Sequence, residues 1–108
     1  MKIYNKLVRD NIPSIIEKDN KKCNYHIAKE EEQLTYLFSK LNEEILELKA
    51  ATTREEVLEE IADIEDVLEM IALKHNWNKN DVYTKRLNKC IKNGWLKKFI
   101  ILDSVEEK

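Results

Sequence analysis

The chain predicts a mainly α-helical protein: an antiparallel helix hairpin or bundle with a small two-stranded β element, built as an oligomer. Three observations predict this. Apolar residues recur at helical spacing through two long stretches, residues 34–51 and 57–72. One Gly and one Pro in 108 residues leave few sharp breaks. Only residues 22–28 and 99–102 carry an alternating or β-branched pattern.

In chain order, residues 1–9 are mixed in character and read as extended. Asp10 or Asn11 can cap a short helix, with Pro13 tolerated in its first turn. Ile12, Ile15 and Ile16 give that helix an apolar side, and Asp19-Asn20 ends it. From Lys22 to Ala28, Cys23, Tyr25 and Ile27 alternate on one side, which predicts a strand. Two long helices follow, roughly Glu30–Ala51 and Arg54–Asn76, with a turn at Thr52-Thr53. Thr53 and Glu56 fit a capping box at the start of the second. Asn78 or Asn80 caps a further helix that ends near Asn93, with Gly94 in the C-terminal position. Residues 99–102 predict a second strand, paired with 22–28 because a lone strand is not stable. Residues 106–108 are expected to fray.

The two long helices repeat one arrangement. In the first, Leu34, Leu37, Phe38, Leu41, Ile45, Leu48 and Ala51 fill one arc at about 100° per residue, and Glu44 falls inside it. Glu47 lies about 60° to one side. In the second, Val57, Ile61, Ile64, Val67, Leu68, Ile71 and Ala72 form the arc. Glu60 falls inside it, with Asp63 about 60° to the same side. Folding back at Thr52-Thr53 brings Glu47 level with Glu60 and Glu44 level with Asp63. Four carboxylates at a partly apolar helix contact repel one another and lose hydration, and a divalent cation relieves both costs. All-oxygen ligation suits Mg²⁺ or Mn²⁺. Charged residues make up 37% of the chain, so a single Glu-x-x-Glu carries no information. Glu43, Glu55, Glu56, Glu59, Glu65 and Glu69 read as solvated. Two pairs on facing helices, each entering the apolar arc, carry the signal.

Composition narrows the function classes. The 108 residues predict one domain. Nineteen basic and 21 acidic residues give a net charge of −2, which argues against binding a nucleic acid polymer. No stretch approaches a membrane span and no apolar run follows the opening residues, so a cytoplasmic protein is expected. Cys23 and Cys90 have neither ligand nor redox spacing and are expected to be reduced thiols. His26 and His75 lack partners at ligand spacing and are assigned to packing. Trp77 is expected to be a packing anchor. The arcs on the long helices are wider than one hairpin contact covers. Phe38, Leu58, Leu68 and Met70 are therefore expected to meet a partner chain in a homodimer or dimer of dimers.

Glu44-x-x-Glu47, twelve intervening residues and Glu60-x-x-Asp63 resemble the signature of the all-α nucleoside triphosphate pyrophosphohydrolases. This superfamily includes MazG, the dimeric dUTPases and phosphoribosyl-ATP pyrophosphohydrolase. The opening, Tyr4-Asn5-Lys6-Leu7-Val8-Arg9-Asp10-Asn11-Ile12-Pro13, resembles a MazG-like branch described as phosphoribosyl-ATP pyrophosphohydrolase-like. The similarity extends through Lys22-Cys23 to Gly94-Trp95-Leu96-Lys97-Lys98-Phe99, and so covers nearly the whole chain. Asn11 stands where the branch has Lys, and Trp95 where it has a second Gly.

The resemblance implies a Mg²⁺-dependent hydrolase that cleaves a nucleoside triphosphate, of a non-canonical, house-cleaning kind, to monophosphate and pyrophosphate. Phosphoribosyl-ATP of histidine biosynthesis is the alternative substrate. A non-catalytic helical oligomerisation module is the alternative of another class. Glu44, Glu47, Glu60 and Asp63 are the implied metal-binding and catalytic residues. Lys6 and Arg9, in the matched opening, are the first choice for the substrate phosphates, followed by Lys97 and Lys98. Lys85, Arg86, Lys89 and Lys92 come third. Trp95 and Tyr4 are candidates for stacking on the base.

Overall fold

A computed structural model describes residues 1–108. Four helices follow one another: α1 (Ile12–Lys18), α2 (Glu30–Ala50), α3 (Arg54–Lys74) and α4 (Lys79–Asn93). The α2–α3 hairpin supplies nearly all of the tertiary contact, and α4 touches α3 only lightly.

Local chemistry explains where the helices start and stop. Thr53 caps α3, its hydroxyl accepting from the Glu56 N–H, while the Glu56 carboxylate accepts from the Thr52 N–H. Asn78 and Asp81 form the reciprocal box that opens α4. At the end of α3, the Trp77 N–H donates to the Ala72 carbonyl and the Asn76 N–H to that of Leu73. Asn76 sits at a φ of +62°, completing a Schellman stop. Gly94, at a φ of +85°, ends α4. In α1, Pro13 lies in the first turn as expected, but Asn11 makes no side-chain cap.

Two ties set the hairpin register. Leu37 and Val67 are its buried apolar residues. At the open end, Lys74 Nζ donates to Glu30 at 2.6 Å and to Gln33 at 2.5 Å. These contacts, with the turn at residues 51–53, hold the two helices antiparallel along their length.

The expected β element is absent. Residues 22–28 and 99–102 form no strand. Phe99 adopts a φ of +50°, and its N–H closes a turn onto Leu96, which breaks the extended path where the second strand should begin. Tyr25, Ile27, Ile100 and Ile101 are left exposed. These apolar side chains need cover, and neither segment provides it for the other. Trp77, expected to be a packing anchor, is also largely exposed.

The fold is elongated, 67 × 35 × 24 Å, with a radius of gyration of 18.7 Å. A compact domain of this length has a radius of about 13 Å. Phe38, Leu58, Leu68 and Met70 are about half exposed. So are Tyr83 and Leu87 on α4, whose apolar stripe has little to pack on. No helix is long and apolar enough to cross a membrane.

Candidate functional site

The site lies in the middle of the α2–α3 contact. Glu44 is at its centre, only 3% exposed. Carboxylate oxygens of Glu44, Glu60 and Asp63 come within 4.8 Å of one another, and so do those of Glu43, Glu44 and Glu47. The hairpin therefore brings together all four carboxylates expected from the sequence, with Glu44 shared between the two groups. Glu43, assigned to solvent on sequence grounds, belongs to the site. It is half-buried and accepts from Lys6 at 3.3 Å and Lys40 at 3.5 Å.

Crowding shows in the acid–base behaviour. Glu60 is pushed up to about 8, first by hydrogen bonding with the Glu44 carboxyl, then by desolvation and by the charges of Glu44 and Glu47. Glu47 is raised as well, chiefly by desolvation and then by the Glu44 charge. Glu44 Oε2 and Glu60 Oε2 are both shielded from solvent and meet no hydrogen-bond donor. A proton held on Glu60 relieves part of this strain, and a cation between the two would relieve all of it.

Three basic side chains surround the carboxylates. Arg9 Nη2 lies 2.6 Å from Asp63 and 2.7 Å from Asp66, and these hydrogen bonds, Asp63 first, raise its pKa. Lys6 reaches Glu43. Lys40, a turn before Glu44 on α2, lies 3.2 Å from it and is largely buried. Lys6 and Arg9 are thus carried across the hairpin by the opening segment, against the acidic residues. Sequence reasoning missed Lys40 and Asp66. Lys40 was legible as the i−4 neighbour of Glu44. Asp66 had only its position, three residues after Asp63, to recommend it.

Other expected residues lie elsewhere. Lys97, Lys98 and Trp95 are on the exposed tail and make no ion pair or hydrogen bond with the acidic residues. Lys85, Arg86, Lys89 and Lys92 are exposed on α4. Tyr4 is stacked under Lys2 and Lys6, whose ammonium groups lie 5.2 and 5.4 Å from its ring centroid. His75 closes α3, with Nδ1 2.9 Å from the Ile71 carbonyl, so that nitrogen carries the proton. Cys23 and Cys90 are free thiols.

Beside the carboxylates, the opening segment and α2 enclose a groove of about 390 Å³ that runs from Glu43 toward Glu31.

The residues fit a hard divalent cation. The donor set is all carboxylate, and two of its oxygens are buried without donors. Compared with protein-family models, with curated proteins and with solved structures, the chain matches none.

Proposed function

We propose that this chain is a divalent-metal-dependent nucleotide pyrophosphohydrolase, cleaving between the α- and β-phosphates of a nucleoside triphosphate to release a monophosphate and pyrophosphate. One observation carries the reading: Glu44, buried with an unpartnered oxygen, stands where two groups of carboxylates meet on facing helices. The resemblance of the paired acidic motifs and of the opening segment supports it. A helical module that served only to oligomerise would be more stable with apolar residues at positions 44 and 60.

Mg²⁺ or Mn²⁺ held by Glu44, Glu47, Glu60 and Asp63 would neutralise phosphate oxygens and lower the pKa of a bound water. The remaining work falls to the chain. Glu44 and Glu60 hold their oxygens together in a poorly hydrated contact, so the site is preorganised. Lys6 and Arg9 stand at its edge, Arg9 paired to Asp63, which a metal would recruit, and Lys6 to Glu43 beside the ligands. Both would then be placed to take phosphate oxygens, Arg9 through its planar fork. Asp66, the second partner of Arg9, would keep that fork in place if Asp63 served as a metal ligand. No nucleophilic Ser or Cys is required, because positioning and charge dominate phosphoryl chemistry.

The working unit is a homodimer or a dimer of dimers. The half-exposed Phe38, Leu58, Leu68 and Met70 and the apolar stripe of α4 support this, as does the large radius of gyration. The test of function is a nucleotide panel with Mg²⁺, read as pyrophosphate release. Mg²⁺-dependent release that disappears in Glu44→Gln is the expected result. Release from no nucleotide at any Mg²⁺ concentration refutes the reading.

A further inference from the structure

We infer that the groove between the opening segment and α2 holds the sugar and base of the substrate, and that it favours bases bearing an exocyclic amino group. This rests on the reading of the acidic centre as the phosphate end of a nucleotide site.

The groove is contiguous with that centre, and Glu43 belongs to both. Its volume, about 390 Å³, lies in the range of small-ligand sites. One wall comes from Asn5 and Leu7, the other from Thr35, Tyr36 and Ser39. These α2 residues share a face with Glu43, because they are spaced by three and four. Tyr36 and Glu43 are seven residues apart, about 10 Å along the helix axis. That is comparable with the reach from a nucleobase to the phosphate chain of a nucleotide. Asn5 sits at a φ of +48° and turns the opening segment at the groove wall.

Polarity orients the occupant. The end next to the acidic centre carries both lysines of the groove, Lys6 and Lys40. The opposite end carries Glu31 and Glu32. Both lysines are paired to carboxylates of the centre, so a metal that neutralised those carboxylates would free Lys6 and Lys40 to attract phosphates at the first end, while Glu31 and Glu32 repel them from the second. Glu32 is engaged by the Lys29 N–H at the start of α2, which leaves Glu31 free to accept from a ligand. Between the ends, hydroxyl and amide groups suit a ribose, and Tyr36 offers a half-buried ring beside the base. An acceptor-rich outer end matches the amino groups of cytosine, adenine and guanine, and gives uracil and thymine no such partner.

The experiment is an NMR titration of isotope-labelled protein, in saturating Mg²⁺, with CMP and separately with UMP. Saturable shifts at the amides of Thr35, Tyr36 and Ser39, stronger with CMP, are expected. Shifts confined to the tail around Trp95, or no shifts, overturn the assignment, whatever the chain hydrolyses. Kinetics supply the second arm. Tyr36→Ala should raise KM for CTP about ten-fold, with Tyr36→Phe near wild type, in keeping with loss of one stacked contact. Glu31→Gln should narrow the CTP-to-UTP preference. The Mg²⁺-induced rise in Tm should be unchanged in all three. A Tyr36→Ala protein with wild-type KM for every nucleotide also overturns the assignment. Loss of the Mg²⁺ response in the wild type would instead count against the acidic centre, so the two failures are distinguishable.

Discussion

Arg9 and Asp63 are 54 residues apart in sequence, yet Arg9 Nη2 lies 2.6 Å from Asp63 Oδ1. The opening segment thus contributes a cation to a carboxylate that the hairpin places beside Glu44 and Glu60. On the proposed reading, Arg9 and a metal would compete for Asp63. Arg9→Ala should therefore leave Mg²⁺ binding intact or tighten it, while raising KM for the nucleotide at least ten-fold. Isothermal titration and steady-state kinetics separate the two effects. The pair is largely exposed, so the loss of stability should stay within about 1 kcal/mol. Wild-type kinetics in Arg9→Ala would assign the contact to structure alone.

Removing charge from the centre should have the opposite signature. Glu44→Gln combined with Glu60→Gln should raise the metal-free Tm, because repulsion between the crowded carboxylates disappears. It should also abolish the stabilisation by millimolar Mg²⁺. A double variant that still gains stability from Mg²⁺ as wild type does would rule out this site. Differential scanning calorimetry with and without the ion gives the answer.

Lys40 is the counter-charge of the buried Glu44. Lys40→Ala leaves that carboxylate with no cation within reach on its own helix. Metal-free stability should fall by about 1–3 kcal/mol, the usual cost of an uncompensated buried polar group. Saturating Mg²⁺ should recover most of the loss. Urea denaturation of wild type and variant, each with and without Mg²⁺, measures both quantities. Equal losses in the two conditions would mean that Lys40 acts through packing.

The pH dependence follows from Glu60. Its folded pKa, about 8, stands above the ordinary carboxylate value. Between the unfolded and folded values the native state binds the extra proton, so metal-free stability should fall as pH rises from about 4.3 to 8. Glu47, raised in the same direction, adds to the slope. Metal binding needs the ionised forms, so Mg²⁺ addition near pH 7 should release about one proton. Its affinity should strengthen up to pH 8. Titration in buffers of different ionisation enthalpy detects the release, and Glu60→Gln should remove most of it.

Assembly can be tested independently of chemistry. Phe38→Glu or Leu68→Glu places a charge on the exposed apolar face of the hairpin. Each should shift the mass measured by light scattering toward that of one chain, from the dimer or tetramer expected of the wild type. A wild-type chain that is strictly monomeric well above micromolar concentration contradicts the expectation.

The sequence by itself determined the helices, their stops and the meeting of the acidic pairs. All three depend on short-range rules. Helical periodicity placed Glu44 and Glu60 inside apolar arcs, Thr53 with Glu56 located the turn, and a tight turn leaves antiparallel helices one register. What lies along a helix or just across a hairpin is set by spacing, and spacing is visible in a sequence. Only the tertiary structure decided that Arg9 pairs with Asp63 and Asp66, and that Lys6 and Lys40 share Glu43. The same holds for the groove beside Tyr36, whose other wall is the opening segment. These depend on the path of a segment without regular structure, and no periodicity encodes such a path. The two strands failed for a related reason. Alternating or β-branched apolar residues mark a segment that needs cover, but pairing requires two segments to meet, and the turn at Phe99 carries the tail away from an extended course.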